Sequence, residues 1–342
     1  MRPLYRIVAN DKDITTLIAD RLLVLRTSDR PGMETDEFEL RLDDRDGAVS
    51  LPSRGSQIEI HLGWEGQKLT LVNRYAVDEI IASGPPDTLV IKGKAADMRG
   101  SGRTVRNGAW EGVPLAKIVA DIAARNGWQP VCPVSVIVPR VDQLGESDFN
   151  FLTRVARLYD CTAKVAAGKL LVMPRQGGIS ASGKSVPALT IRRSDVSRWQ
   201  FRQSDRHSQK AVGTRYHDKK SGDLVTVLLE NPDAADGLPA VHHDRHIHPN
   251  KAAAEAAARA RLVAFNRSTA VVRLEMPGRT DVFAEREINA QDFKEGLDGS
   301  YLADLVEQVV TQAGWSTTVE CNGGIKGKAK PNTKKPLKVE QL

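Results

Sequence analysis

Apolar and polar residues alternate along EFELRLD (37–43) and QIEIHL (57–62), the period of strands with one buried and one wet face. Similar short runs at 4–9, 68–72, 75–81 and 88–94 are separated by turn chemistry at Asp46-Gly47, Gly63 to Gly66 and Gly84-Pro85-Pro86-Asp87. That spacing predicts a sandwich or barrel over residues 1–105. The period then changes. Leu115, Ile118, Val119, Ile122 and Ala123 form one helical stripe between Pro114, a starter, and Asn126-Gly127, a stop. A second helix is expected behind Ser147 as N-cap, with Asp148 favourable to the helix dipole. Phe149, Leu152, Val155, Ala156 and Tyr159 share its buried face, and strands at 162–166 and 169–173 flank Gly168 as a hairpin would.

Strands return at 196–203, 210–216 and 223–229, followed by an alanine-rich helix capped by Asn250 and strands at 269–276, 282–289, 300–310 and 315–321. The predicted fold is mainly β with α+β insertions. A first β-barrel covers residues 1–105 and a small α+β middle segment 106–190. A second β-barrel covers 191–323 with an inserted helix at 251–265, and a basic flexible tail covers 324–342.

Length and composition narrow this little further. A chain of 342 residues suits two or three domains, and 41% hydrophobic with 27% charged residues is the balance of a globular protein. No run approaches the roughly 18 uncharged apolar residues of a membrane span. The opening MRPLYRIVANDKD carries no signal-peptide core, so synthesis in the cytoplasm is expected. Cys132, Cys161 and Cys321 are too scattered for a disulfide framework or a zinc knot and read as reduced thiols. Much of the net charge of +6 sits in the tail, where Lys326, Lys328, Lys330, Lys334, Lys335 and Lys338 face one acid, Glu340. These lysines are the candidate partner-binding residues; a solvated end is the plainer alternative.

Candidate chemistry is sparse. His242, His243, His246 and His248 crowd around Asp244, but HHxxHxH matches no catalytic zinc spacing, and the polar segment reads as an exposed, loop-like connection rather than a metal site. Asp43-Asp44 and Asp87 lie in turns, where aspartate is favoured for local hydrogen bonds. The tryptophans at 64, 110, 128, 199 and 315 sit at element edges and read as packing residues; Gly177-Gly178 and Gly323-Gly324 read as linker points. No nucleophile elbow, phosphate loop or dinucleotide fingerprint occurs. No catalytic residue, metal ligand or cofactor is assigned.

One long stretch is distinctive. ESDFNFLTRVARLYD (146–160), followed by GKLLV (168–172), resembles the late-control D proteins of contractile-tailed phages, which are baseplate hubs. LPSRGSQIEIHLGW (51–64), VDEIIASGPPDTLVIKGKAAD (77–97), PLAKIVADIAARNGW (114–128), AEAAARARLVAFNRSTAVVRLEMPGR (254–279), KEGLDGSYLADLVEQ (294–308) and AGWSTTVEC (313–321) extend the resemblance to about residue 322. It is similar, more distantly, to the hub module of type VI secretion spike proteins. Glu285 and Asp292 stand where relatives often have glycine, and Gln308 where many have histidine.

The resemblance implies two tail-tube-like β-barrels separated by α+β elements, and a homotrimer whose six barrels match a sixfold tube to a threefold spike. It further implies contacts with the tail spike, the tail tube or a tube-initiator protein, the tape-measure protein and baseplate wedge proteins, with no specific nucleic acid and no membrane. Two other readings stay open at this point: a tail-associated cell-wall hydrolase, and a basic nucleic-acid-binding late regulator.

Overall fold

The period-2 segments pair as their patterns require. The computed structural model describes residues 2–33, 36–95, 101–166, 168–176, 186–204, 208–237 and 239–329. The first segment holds β1 (Pro3–Ala9), β2 (Lys12–Asp13), the single-turn α1 (Thr15–Ile18), β3 (Leu22–Asp29), β4 (Glu37–Asp43), β5 (Gln57–Trp64), β6 (Thr70–Ser83) and β7 (Thr88–Ala95). The middle segment adds β8 (Val105–Pro114), α2 (Leu115–Asn126), β9 (Gln129–Val131), β10 (Ile137–Ser147), α3 (Asp148–Leu158), β11 (Cys161–Ala166) and β12 (Lys169–Pro174). The last segment holds β13 (Leu189–Arg192), β14 (Arg198–Gln203), β15 (Ala211–His217), β16 (Leu224–Glu230), β17 (Val241–His248), α4 (Lys251–Arg267), β18 (Ala270–Pro277), β19 (Glu287–Gln291), β20 (Gly299–Thr311) and β21 (Gly314–Asn322). The fold is mainly β, with helices confined to the middle segment and to one insertion apart from the turn at α1.

Thirteen strands of the first and last segments form one sheet, while β15, β16 and β17, expected within the second barrel, form a separate three-stranded sheet against which α4 packs. The two halves of the large sheet repeat one order: β3-β4-β7-β6-β5-β1 in the first and β14-β18-β21-β20-β19-β13 in the second. They differ at the last step, since β1 runs antiparallel to β5 whereas β13 runs parallel to β19. Each half gathers its inward faces into its own core. Ile7, Leu25, Leu40, Ile60, Tyr75 and Leu89, one from each strand of the first half, meet in a single cluster. Ile191, Phe201, Val272, Ile288, Tyr301 and Val319 do the same in the second. Each half thus wraps one core with six strands, and among the described residues no ladder joins β1 to β3 or β13 to β14 to close either half into a barrel.

The middle segment packs α2 and α3 against the β11–β12 hairpin and the two-stranded β8–β10 ribbon. Its helix ends follow the predicted signals. Gly127 adopts a left-handed φ of 74° at the end of α2, and the Ser147 hydroxyl accepts from the Asn150 amide at the start of α3. Asn250 caps α4 likewise, accepting from the Ala253 amide at 2.9 Å.

The structure departs from the sequence reading in several places. The runs at 68–72 and 75–81 are one strand, β6, because the intervening Asn73 and Arg74 continue the ladder to β5. β2, β3, β8, β9, β10 and β13 were not predicted. In β8 the residues VRNGAWEGVP carry two glycines and a proline, and the strand is held mainly by its ladder to β10. The strand expected at 282–289 begins only at Glu287.

Leu152 is 1% exposed and lies in the middle core with Phe149, Phe151 and Val155. Truncating it, Leu152→Ala, is expected to cost about 2–5 kcal/mol, read as a lowered midpoint in denaturant unfolding. An unchanged midpoint contradicts the packing.

Candidate functional site

The geometry concentrates polar interactions at the seam where the three segments meet. β20 makes that seam: Gly299–Leu302 pair with β19, and Val306–Thr311 pair antiparallel with β3 of the other half. Val310 and Trp315, from the last segment, consequently belong to the first core. The Trp315 ring lies 5.1 Å from that of Trp64, whose indole N–H donates to the Gly278 carbonyl at 2.9 Å. Gly278 is forced, since a Cβ there would fall 1.8 Å from the Trp315 ring.

Gln308 is the buried polar centre of this contact. Its carbonyl oxygen accepts from the Trp315 indole at 2.9 Å and from the Thr317 hydroxyl at 2.6 Å, while its amide donates to the Arg279 carbonyl at 2.7 Å. A planar group with one acceptor and two donors satisfies three partners at once.

Beside it lies a cavity of about 350 Å³ lined by Thr27, Asp29, Asp36, Tyr75, Lys164 and Gln308, among others. The Lys164 ammonium, from β11, donates to Asp29 at 3.0 Å and to Asp36 at 3.1 Å. Asp29 also accepts from the Ala284 amide at 2.8 Å, so one carboxylate touches all three segments. Asp36 is completed by the Arg30 amide and the Asn73 side chain. Burial pushes Asp36 up to about 6, with Asp29 adding to the effect and Lys164 opposing it. Burial pulls Lys164 down, but the two carboxylates outweigh it and its pKa lies above the ordinary lysine value.

Two further ion pairs tie the middle segment to the second half. Arg267, at the end of α4, forks onto Asp160 at 2.5 and 2.9 Å, a bidentate geometry that fixes orientation as well as charge. Arg175 pairs with Glu285, which also accepts from the Thr162 hydroxyl. Glu285 and Asp292, the two departures from glycine, both hold left-handed φ values of 65° and 64°. The turn geometry is thus retained with side chains that cost about 1–2 kcal/mol each in that region. Glu285 offsets this cost through its seam contacts.

Asp148 does more than favour a helix dipole. It is fully buried, and it accepts from Gln143 at 2.9 Å, from Asn126 at 2.7 Å and from Arg125 at 2.7 Å. No periodicity signals this network; only the acid within an otherwise apolar helix start hints at it.

The sequence candidates fall elsewhere. The histidine segment is not a loop but the strand β17, parallel to β15. Its pairing edge, rather than any apolar alternation, explains the difference. His242 meets Phe265 edge-on, His246 and His248 lie 4.9 Å apart, and burial pushes His242 and His248 down. Among the described residues no group of three or more His, Cys, Asp and Glu is placed to hold a metal ion. The cysteines are free thiols; burial pushes Cys161 up to about 12 and Cys321 still higher.

Of the tail lysines, Lys330, Lys334, Lys335 and Lys338 lie outside the described residues. Lys326 is exposed. Lys328 corrects the reading of a tail free from residue 324: its amide donates to Thr269 and its ammonium sits 4.3 Å from the centre of the Tyr301 ring. Gly323 and Gly327 are likewise docked rather than linking, and a Cβ at Gly327 would fall 2.7 Å from the Asn266 carbonyl.

Comparison with known proteins decides what this architecture is. Residues 32–314 match the family described as "Phage tail baseplate hub (GPD)". The chain belongs to the phage tail baseplate hub family. It is 30% identical to the "Probable baseplate hub protein" of Escherichia phage P2, covering 94% of this chain and 93% of that one. The protein of the same description from Escherichia phage 186 is 31% identical over 94% and 92%. The crystal structure of the 43 kDa tail protein of prophage MuSo2 from Shewanella oneidensis superposes with a TM-score of 0.70 at 14% identity, over 93% of this chain and 98% of that one. The hub is therefore a structural protein of a phage tail. Its buried aspartates among the described residues, Asp36 and Asp148, are each committed to an internal cation.

Replacing Lys164 with methionine leaves Asp36 beside Asp29 without a counter-charge, at an expected cost of about 3–5 kcal/mol. The folded pKa of Asp36 lies above its unfolded value near ~3.9, so the folded chain holds the extra proton and stability falls as pH rises between about 4 and 6. In the variant that window extends upward. The loss in melting temperature is expected to be larger at pH 8 than at pH 5; an equal loss at both pH values refutes the pairing.

Proposed function

We propose that three copies of this hub close into a ring that adapts a sixfold tail tube to a threefold spike in a contractile tail or tail-like particle. The observation that carries the reading is the repeated strand order within one chain. Three chains with two equivalent halves supply six similar units, the number a sixfold tube requires, while the ring retains the threefold symmetry a spike requires. The β20–β3 ladder supports it by setting the two halves side by side in one continuous sheet.

The partners follow from those positions: the tail tube or tube-initiator protein on one face, the spike on the other, the tape-measure protein within the tube, and wedge proteins outside. The protein is made in the bacterial cytoplasm and assembled there into the baseplate. Beyond the docked turn at 323–329, the remaining lysines act on the spike side as a set of positive charges, each contributing roughly 0–1 kcal/mol at an exposed rim.

Light scattering of the purified chain is expected to give three times the 37.4 kDa monomer mass. Deleting residues 330–342 is expected to weaken spike capture at low salt and to matter little at high salt, where the charges are screened. Capture that is unchanged at low salt removes the tail from the interface.

A further inference from the structure

Each half of the large sheet contains one long strand that changes partner along its length. In the second half β20 pairs first with β19, shifts register against β21 at Asp304, and then gives Val306–Thr311 to β3. In the first half β6 pairs first with β5, shifts register against β7 at Asp78, and runs on to Ser83. The two bulges occupy matching positions in the repeated order, and each inserts an aspartate where the strand leaves its first partner. Beyond its bulge β20 has a third strand to pair with. Among the described residues, the outer edge of β6 at Ile80–Ser83 has none.

The counterpart of β3 in the second half is β14, and it too has one open edge. It pairs with β18 and, among the described residues, with no other strand. The exposure of matching positions shows what that edge lacks. Thr27 stands opposite Phe38, and Leu25 opposite Leu40; their counterparts are Phe201, opposite Val272, and Trp199, opposite Leu274. Leu25 and Thr27, beneath β20, are 1% and 2% exposed. Trp199 and Phe201 are only half-buried against the second core. An open edge that presents two aromatic rings is an aggregation hazard unless another strand covers it.

We propose that the outer edge of β6 in one copy of the chain pairs antiparallel with β14 of the next, repeating between copies the ladder that β20 and β3 make within one. This rests on the ring reading above and names the contact that closes it. Carrying the internal register across sets Ile80 opposite Gln203, Ile81 opposite Arg202, Ala82 opposite Phe201 and Ser83 opposite Gln200. Ile80 already packs on the first core, and with Ala82 it then covers the exposed side of Phe201 and Trp199, as Val306 and Gln308 cover Thr27 and Leu25. On the outer face Arg202, which carries no ion pair among the described residues, comes diagonally beside Glu79. The contact is head-to-tail, the kind that generates a closed ring when the rotation permits.

Paired cysteines test the register. In a Cys132→Ser background, Ile81→Cys with Arg202→Cys places two thiols on directly facing positions, about 4.5–5.5 Å apart between Cα atoms and within disulfide range. Ile81→Cys with Gln200→Cys makes a diagonal pair about 7–8 Å apart, beyond that range. Under mild oxidation of the purified full-length protein, the first pair is expected to give covalently linked chains up to the trimer, reversed by reductant, and the second to give none. If the wild type is trimeric by light scattering and the facing pair stays unlinked, the strand pairing is wrong and the ring reading stands. If the wild type is a monomer and the facing pair stays unlinked, both are wrong.

Discussion

The pairing of β20 with β3 is the constraint on which the rest depends. A β-strand has two hydrogen-bonding edges, and β20 uses one for β21 along its length while dividing the other between β19 and β3. Two cores are thereby fixed in one sheet, with a register that cannot slip without turning Val306, Gln308 and Val310 outward. The residues around this junction follow from it. Gly278 makes room for Trp315, Gln308 satisfies the polar groups that Trp315 and Thr317 bring into the first core, and Asp29 at the end of β3 is free to reach both Lys164 and the Ala284 amide.

The seam is polar for a reason that burial makes clear. Apolar contact alone tolerates sliding and rotation, whereas Lys164 between two carboxylates, or Arg267 forked on Asp160, permits a narrow range of geometries. Such buried pairs add little net stability, because desolvation consumes most of the attraction, and removing one partner is far costlier than the pair is worth. The seam therefore specifies orientation more than it supplies adhesion. For a chain whose two similar halves share one sheet, orientation is the property that such pairs fix.

Much of the fold was legible because it rests on local signals. The alternation in EFELRLD and QIEIHL, the caps at Ser147 and Asn250 and the stop at Gly127 each act within a few residues, and each stands where expected. What escaped prediction depends on distant partners. The strand β17 is polar along its length and becomes a strand only because β15 offers an edge; β8 and β10 hold each other through a ladder rather than through propensity. Asp36, Lys164 and Asp160 look like surface charges in sequence, since the groups that pair with them come from other segments. Gln308 was visible only as a departure from relatives, and its role required knowing that Trp315 and Thr317 face it. The turn at 323–329 was masked by its lysines, although two of its glycines were the clue.

The β20–β3 ladder also sets the order of events during synthesis. The first half leaves the ribosome with the outer edge of β3 bare, because the residues that pair with Asp29 begin at Val306. Its core lacks Val310 and Trp315 over the same interval. Until the last strands are made, the nascent chain carries an uncapped sheet edge of the kind that recruits neighbouring chains, and closing it requires one of the most sequence-distant contacts in the molecule. Completion of this protein is therefore all-or-none at its C-terminal end: a chain truncated before β20 is a sticky half-sheet and not a smaller hub.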